Sequence, residues 1–289
     1  FFPYPQFAAG MTVLDTNDRS NYHGLQVIAN KRFNGELSFT FGYTFSKSLD
    51  TRSFDPTFTA VATGNSQSAT STPFDIKNRG LNYARSDFDR THVFQGGAAY
   101  DLPFGKGQRF GSDLNPVIDR VVGGWSLTGG LIWESGRPFT IYSGSNTFSN
   151  VVQSPANCDG CTPSMIRRIF DSAVGTEFYF DLPTRGVVFD TATNRRGIFS
   201  VPDSGELGNT GRNFFTAPGF FNMNLAIGKK TRITERQNIE YRLEMQNVTN
   251  TPSFGLPESA TLNNLLFGRA RGNTTSGSRK IQMALKYNF

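Results

Sequence analysis

Three clusters of residues carry types that do chemistry. Cys158-Asp159-Gly160-Cys161 holds the only two cysteines of the 289 residues. A C-x-x-C can cycle between thiols and disulfide, supply half of a zinc site, or lock a turn. Only two His are present and there is no second Cys pair, so a four-ligand zinc site is not expected. Asp87, Asp89, Arg90 and His92 bring acids, a guanidinium and an imidazole together. No Ser-His-Asp spacing or paired acid emerges around them, and they are expected to be charges at the mouth of a strand, not a catalytic set. Glu240, Arg242 and Glu244 repeat charge at every second position. On a strand these three side chains share one face, where they can either touch a bound solute or form a ladder of opposite charges. His23, next to Tyr22, reads as an interfacial residue and not a ligand. No enzyme activity, metal or cofactor is expected.

What places these residues is alternation. In Leu37-Ser38-Phe39-Thr40-Phe41-Gly42-Tyr43-Thr44-Phe45-Ser46 every odd position is large and apolar or aromatic, and every even one is small or polar. A strand sends the two sets to opposite faces, and about 10 residues is the length of a tilted strand crossing hydrocarbon. The same pattern predicts strands at 221–228, 239–246, 281–289 and 125–134. Weaker patterns add His23–Arg32 and Val93–Leu102, for seven strands in all. Glu240, Arg242, Glu244, Lys280 and Lys286 fall on the polar parity. Lys31 falls on the apolar one, beside a turn where it can snorkel to headgroups. Trp125, Trp133, Tyr22, Phe33 and Tyr287 are read as girdle aromatics.

Composition agrees with membrane strands. The chain has 28 Phe, 9 Tyr and 30 Gly. Mean hydropathy is slightly negative, as in barrels whose strands alternate lipid-facing and lumen-facing residues. No apolar run reaches the roughly 18 residues of a membrane helix. The net charge of +6 is spread through 29 Lys and Arg against 23 Asp and Glu. No basic block or nucleic-acid motif accompanies it, so nucleic acid is not an expected partner. Basic surface loops suit lipopolysaccharide phosphates instead. The chain begins at Phe1 without Met or a leader, which for an exported protein places its true N-terminus upstream.

The connections alternate in length. Phe33-Asn34-Gly35 is a hairpin turn, and 49–88 is long and polar. A medium link lies around Phe104-Gly105-Lys106-Gly107 and Pro116. The longest insertion runs from about Gly136 to Ala217. A short turn lies near Thr231–Arg236, and a longer loop runs from Asn250 to Ser278. Outer-membrane barrels have short periplasmic turns and long extracellular loops, and all the long connections here fall at one end. Cys158 and Cys161, in the longest of them, are expected to be disulfide-bonded in an oxidising compartment.

Several segments resemble Oar-like TonB-dependent receptors: Gly208-Asn209-Thr210-Gly211-Arg212-Asn213 with Pro218-Gly219-Phe220 and Asn222, Tyr241–Asn250 with Phe254-Gly255, Asn21–Gln26, and Ser135-Gly136-Arg137-Pro138-Phe139. The ending Tyr287-Asn288-Phe289 is similar to the aromatic-terminated strand read by the barrel assembly machinery, making Tyr287 and Phe289 the assembly signal. The resemblance implies that residues 1–289 are the C-terminal part of one all-β, antiparallel barrel of twenty-two strands. A plug and a TonB-contacting segment would lie upstream. The implied function is outer-membrane uptake of a scarce nutrient (a siderophore, glycan or peptide). The partners implied are outer-membrane lipid, lipopolysaccharide, the assembly machinery, TonB and an unidentified small ligand. Glu240, Arg242 and Glu244 are the candidate lumen contacts. An outer-membrane scaffold or adhesin without active transport is the alternative.

Overall fold

A computed structural model of the chain describes residues 16–32, 36–53, 74–75, 77–146, 153–166, 169–171, 176–180, 189–270 and 277–289. Seven long strands form its wall: β1 (Ser20–Lys31), β2 (Leu37–Asp50), β3 (His92–Asp101), β4 (Trp125–Glu134), β5 (Phe220–Arg232), β6 (Asn238–Gln246) and β7 (Lys280–Asn288). They lie side by side in chain order, each antiparallel to its neighbour, and Ala84–Arg85 adds a short strand on Leu49–Asp50. The sheet is open. Among the described residues β1 and β7 each pair on one side only. No helix among these residues is long and apolar enough to cross a membrane.

Register tests the parity of each strand against every other, because a slip of one residue exchanges the two faces. Phe41 lies opposite Ala29 and Gly96, and Gly96 opposite Leu131. Leu131 faces Met223 in turn. Further along the sheet Ile227 faces Leu243, and Leu243 faces Met283. The apolar sets of all seven strands therefore fall on one surface. The polar row Lys230, Glu240 and Lys286 falls on the other.

Some details differ from expectation. β5 runs on through Thr231 and Arg232, so the turn is confined to 233–237. β6, by contrast, ends at Gln246 as its alternation predicts, where Asn247 takes a left-handed conformation, with φ 48°. Tyr22 pairs with Ser48 on the polar parity and is not a girdle residue. Lys47 and Lys229 join Lys31 on the apolar parity, and all three sit near strand ends. Phe33-Asn34-Gly35 lies outside the described residues.

The hydrophobic core is not in the wall. It lies in the long connections at the end opposite the short turns, where Phe139, Ile141, Tyr179, Phe180, Phe199, Phe215, Leu262 and Phe267 are buried together. Phe180 stacks on Phe267 with centroids 5.5 Å apart and meets Phe199 edge-on at 5.2 Å. Phe74 and Tyr142 form a smaller cluster alongside, so all three long connections contribute. These segments make a packed cap. At the outer end of β2, Ser46, Ser48 and Asp50 are buried whereas Phe45 is 48% exposed. The cap therefore sits on the polar face of the wall and leaves the apolar face open.

Candidate functional site

A buried guanidinium joins cap and wall. Arg212 donates to the Asp50 carboxylate at 2.7 Å, to the Asp87 carboxylate at 3.0 Å and to Ser53 Oγ at 2.7 Å. It also donates to the backbone carbonyls of Asp50 and Asn82. Its side chain has no exposed surface. Asn213, held at φ 52°, donates its amide to Asp87 at 2.7 Å and to the Arg85 carbonyl. Arg137 donates to the Asp87 carbonyl. A charge in a dry site is tolerated only when paired this closely; of this guanidinium, Nε–H alone finds no hydrogen-bond partner among the described residues.

The rest of the Gly208–Asn213 segment grips a second piece of chain. Asn209 Oδ1 accepts from Cys158 N–H at 2.9 Å, Thr210 Oγ1 donates to the Ala156 carbonyl at 2.8 Å, and Gly208 N–H donates to Ser154 Oγ. Glycine is required twice by close approach of backbones. A β-carbon at Gly208 would run into the Pro155 carbonyl, and one at Gly136 into that of Ala217. Gly136 and Gly208–Thr210 thus tie the 135–219 connection to itself, whereas Arg137, Arg212 and Asn213 fasten it to the 51–91 connection at the mouth of β2. They come from segments that, in the sequence, could be read only as resemblance.

The Asp87–His92 cluster is divided among separate jobs. Asp87 serves Arg212. Asp89 accepts from Arg85 at 2.8 Å and from Ser48 N–H at 2.7 Å. Arg90 pairs with Glu134 at 3.2 Å; burial lowers its pKa and the Glu134 charge opposes that. His92 Nδ1 meets the Tyr43 hydroxyl at 2.8 Å. The neighbouring Tyr142 hydroxyl is pushed well above its ordinary pKa by burial, with the Asp87 charge adding to it. These four residues do not converge on one reacting atom.

Below the cap, the polar face of the wall carries the other candidates. Glu240 pairs across strands with Lys230 at 3.3 Å, and Arg242 pairs along its own strand with Glu244 at 2.7 Å. Small side chains leave hollows beside them. Ser126, Thr128, Ala226, Gly228, Lys230, Glu240 and Arg242 border a recess of 340 Å³. Nearer the cap, Asn222, Asn224, Gln246, Asn247 and Lys280, with Ile132 and Phe220, border another of 340 Å³. Amides, opposite charges and two apolar side chains suit polar solutes with several donors and acceptors.

A wall apolar on one face, polar on the other and capped at one end is the pattern of an outer-membrane strand sheet. The family described as "Outer membrane beta barrel domain" matches residues 1–282. The chain belongs to that family. No curated protein matches the sequence. The protein is therefore located in the outer membrane.

In this outer-membrane β-barrel protein Cys158 and Cys161 form a disulfide, with Cα atoms 5.8 Å apart, inside the cap and away from the wall. It closes a loop so short that the chain-entropy gain is only about 2 kcal/mol. Replacing both with Ser should cost no more than that, read as a small shift in urea midpoint. Two free thiols by mass spectrometry of nonreduced peptides would contradict the bridge. At the other end of the wall, Tyr287 and Phe289 stack at 6.0 Å, and Phe289 is 93% exposed.

Proposed function

We propose that the chain is the wall and external loops of a TonB-dependent receptor that takes up a scarce nutrient, acting in transport and not in catalysis. As the sequence resemblance implies, it would belong to a barrel of twenty-two strands whose plug and TonB-contacting segment lie upstream. One observation carries the reading most strongly: three long connections from one end of the sheet fold into a single body over its polar face. A mouth that selects solutes needs such an ordered cover above a polar wall, with Glu240, Arg242 and Glu244 as wall contacts. In this reading the cap faces the cell exterior, next to lipopolysaccharide. The assembly machinery reads Tyr287 and Phe289, and siderophores, glycans and peptides are the substrate classes.

The test is uptake by cells that carry or lack the full-length gene, across labelled members of those three classes, with and without TonB. Loss of one solute on deletion, reproduced by removing TonB, is the expected result. Unchanged uptake of every solute, together with lost surface attachment or envelope integrity, would replace transport by the scaffold or adhesin alternative.

A further inference from the structure

The link between β3 and β4 is built unlike a turn. Outer-membrane barrels join strands at the short-turn end with a few residues, yet residues 102–124 fold into a compact loop, closed by a bridge between Phe104 and Phe110 and followed by a helix, α1 (Pro116–Val122). Asn115 caps α1, accepting from Val117 N–H at 2.9 Å, and Pro116 occupies its first turn. In the loop the rings of Phe104 and Phe110 lie 5.7 Å apart. Asp119 turns back to accept from Lys106 N–H at 2.5 Å, tying loop to helix. This compact unit nevertheless leaves its apolar side chains outside. Val117 is 66% exposed, Val121 67% and Phe110 52%. At 3.6 residues per turn Val117, Ile118, Val121 and Val122 form one continuous arc.

The unit is fastened to the apolar face of the wall. Trp125, on the lipid-facing parity of β4, donates its indole N–H to the Val121 carbonyl at 3.0 Å. Lys229, on the same parity of β5, donates to the Gly123 carbonyl and lies 5.3 Å from the Trp125 ring centre. Charge completes the pattern. The unit sets the exposed cations Lys106, Arg109 and Arg120 against Asp113 and Asp119, and Asp119 is turned inward onto the Lys106 N–H. Arg120 flanks the apolar arc, and Arg109 lies over the Phe110 ring, 5.5 Å from its centre.

We propose that residues 102–124 are an interfacial foot. The arc of α1 and the two phenylalanines enter the acyl boundary of the lipid leaflet at the short-turn end, and Arg109 and Arg120 hold anionic phospholipid phosphates. The inference rests on the lipid-facing assignment of the odd-parity set. It extends the membrane contact beyond the strands to a segment that would otherwise belong to the aqueous side. An exposed apolar patch continuous with a lipid-facing surface, rimmed by cations, matches the chemistry of an anionic leaflet.

The test uses full-length protein with every cysteine, Cys158 and Cys161 included, changed to Ser and one nitroxide label, reconstituted in phosphatidylcholine vesicles with or without phosphatidylglycerol. Labels are placed at Val121, at Leu127 as the lipid-facing reference, and at Ser204 as the aqueous one. The expected result is a Val121 label shielded from a nickel chelate and open to oxygen, as at Leu127. Shielding should increase with phosphatidylglycerol, and Arg109→Glu with Arg120→Glu should abolish the increase. A Val121 label as open to nickel as Ser204, with Leu127 still shielded, overturns the foot alone. A phosphatidylglycerol effect that is absent, or that survives the charge reversal, overturns it too. A nickel-accessible Leu127 overturns the lipid-facing assignment itself.

Discussion

Replacing Arg212 with Ala should cost about 3–5 kcal/mol, the penalty for leaving buried charge without its partner. Two carboxylates depend on this guanidinium. Asp50 is 3% exposed and so is Asp87, so neither can recover solvation in place. Lys at the same position supplies one point charge where the fork now meets Asp50, Asp87 and Ser53 together. Arg212→Lys should therefore recover only part of the loss. The strands are held by lipid and by their ladders, so the damage is confined to the cap. It should appear as faster hydrogen exchange around 137–141 and 210–215, by roughly two to three and a half decades, with β6 and β7 unchanged. Combining Arg212→Met with Asp50→Asn and Asp87→Asn removes the uncompensated charge and should recover most of the protection. If Arg212→Ala exchanges like the parent in both segments, the lock does not hold the cap.

The wall was legible because its constraint is local. A strand half in lipid and half in a polar lumen must alternate, and that rule writes itself into each run of about ten residues without reference to any other. The faces then follow, since a slip of one residue would move any of Phe41, Leu131, Met223, Leu243 and Met283 off their common side, and the turns choose among the registers that remain. Tyr22 was misplaced because an aromatic at a strand end satisfies the girdle pattern on either parity, and only its pairing with Ser48 shows which face it takes. The segments of the cap and its Cys158–Cys161 bridge were legible, but its packing was not. Phe139, Phe180, Phe199, Phe215 and Phe267 meet without periodicity, and Arg212 finds Asp50 across 162 residues. Such a contact leaves no spacing to read. Asp87 and Asp89 were visible as charges near β3, but their partners were not, so a chemical cluster and a structural clamp looked alike.

The last strand gives the sharpest contrast between the two faces. Leu285 is 73% exposed on the apolar side, opposite Tyr241, whereas Gln282 lies opposite Glu244 on the polar side. An arginine at 285 must enter hydrocarbon, at about 2–4 kcal/mol near the bilayer centre. An arginine at 282 gains a carboxylate neighbour and stays in a wet lumen, for a change within about 1 kcal/mol. Folded fractions of the full-length protein, recovered from outer membranes and scored by heat-modifiable mobility, should fall sharply for Leu285→Arg and hardly at all for Gln282→Arg. Deleting Phe289 separates contact from recognition. As buried apolar surface the ring is worth only roughly 1.5–3 kcal/mol. If the assembly machinery reads it, as proposed, insertion in cells should fall far more than unassisted refolding into vesicles does. Equal losses in the two settings would reduce Phe289 to an ordinary lipid contact. Equal tolerance of arginine at 282 and 285 would mean that the odd positions of β7 do not face lipid.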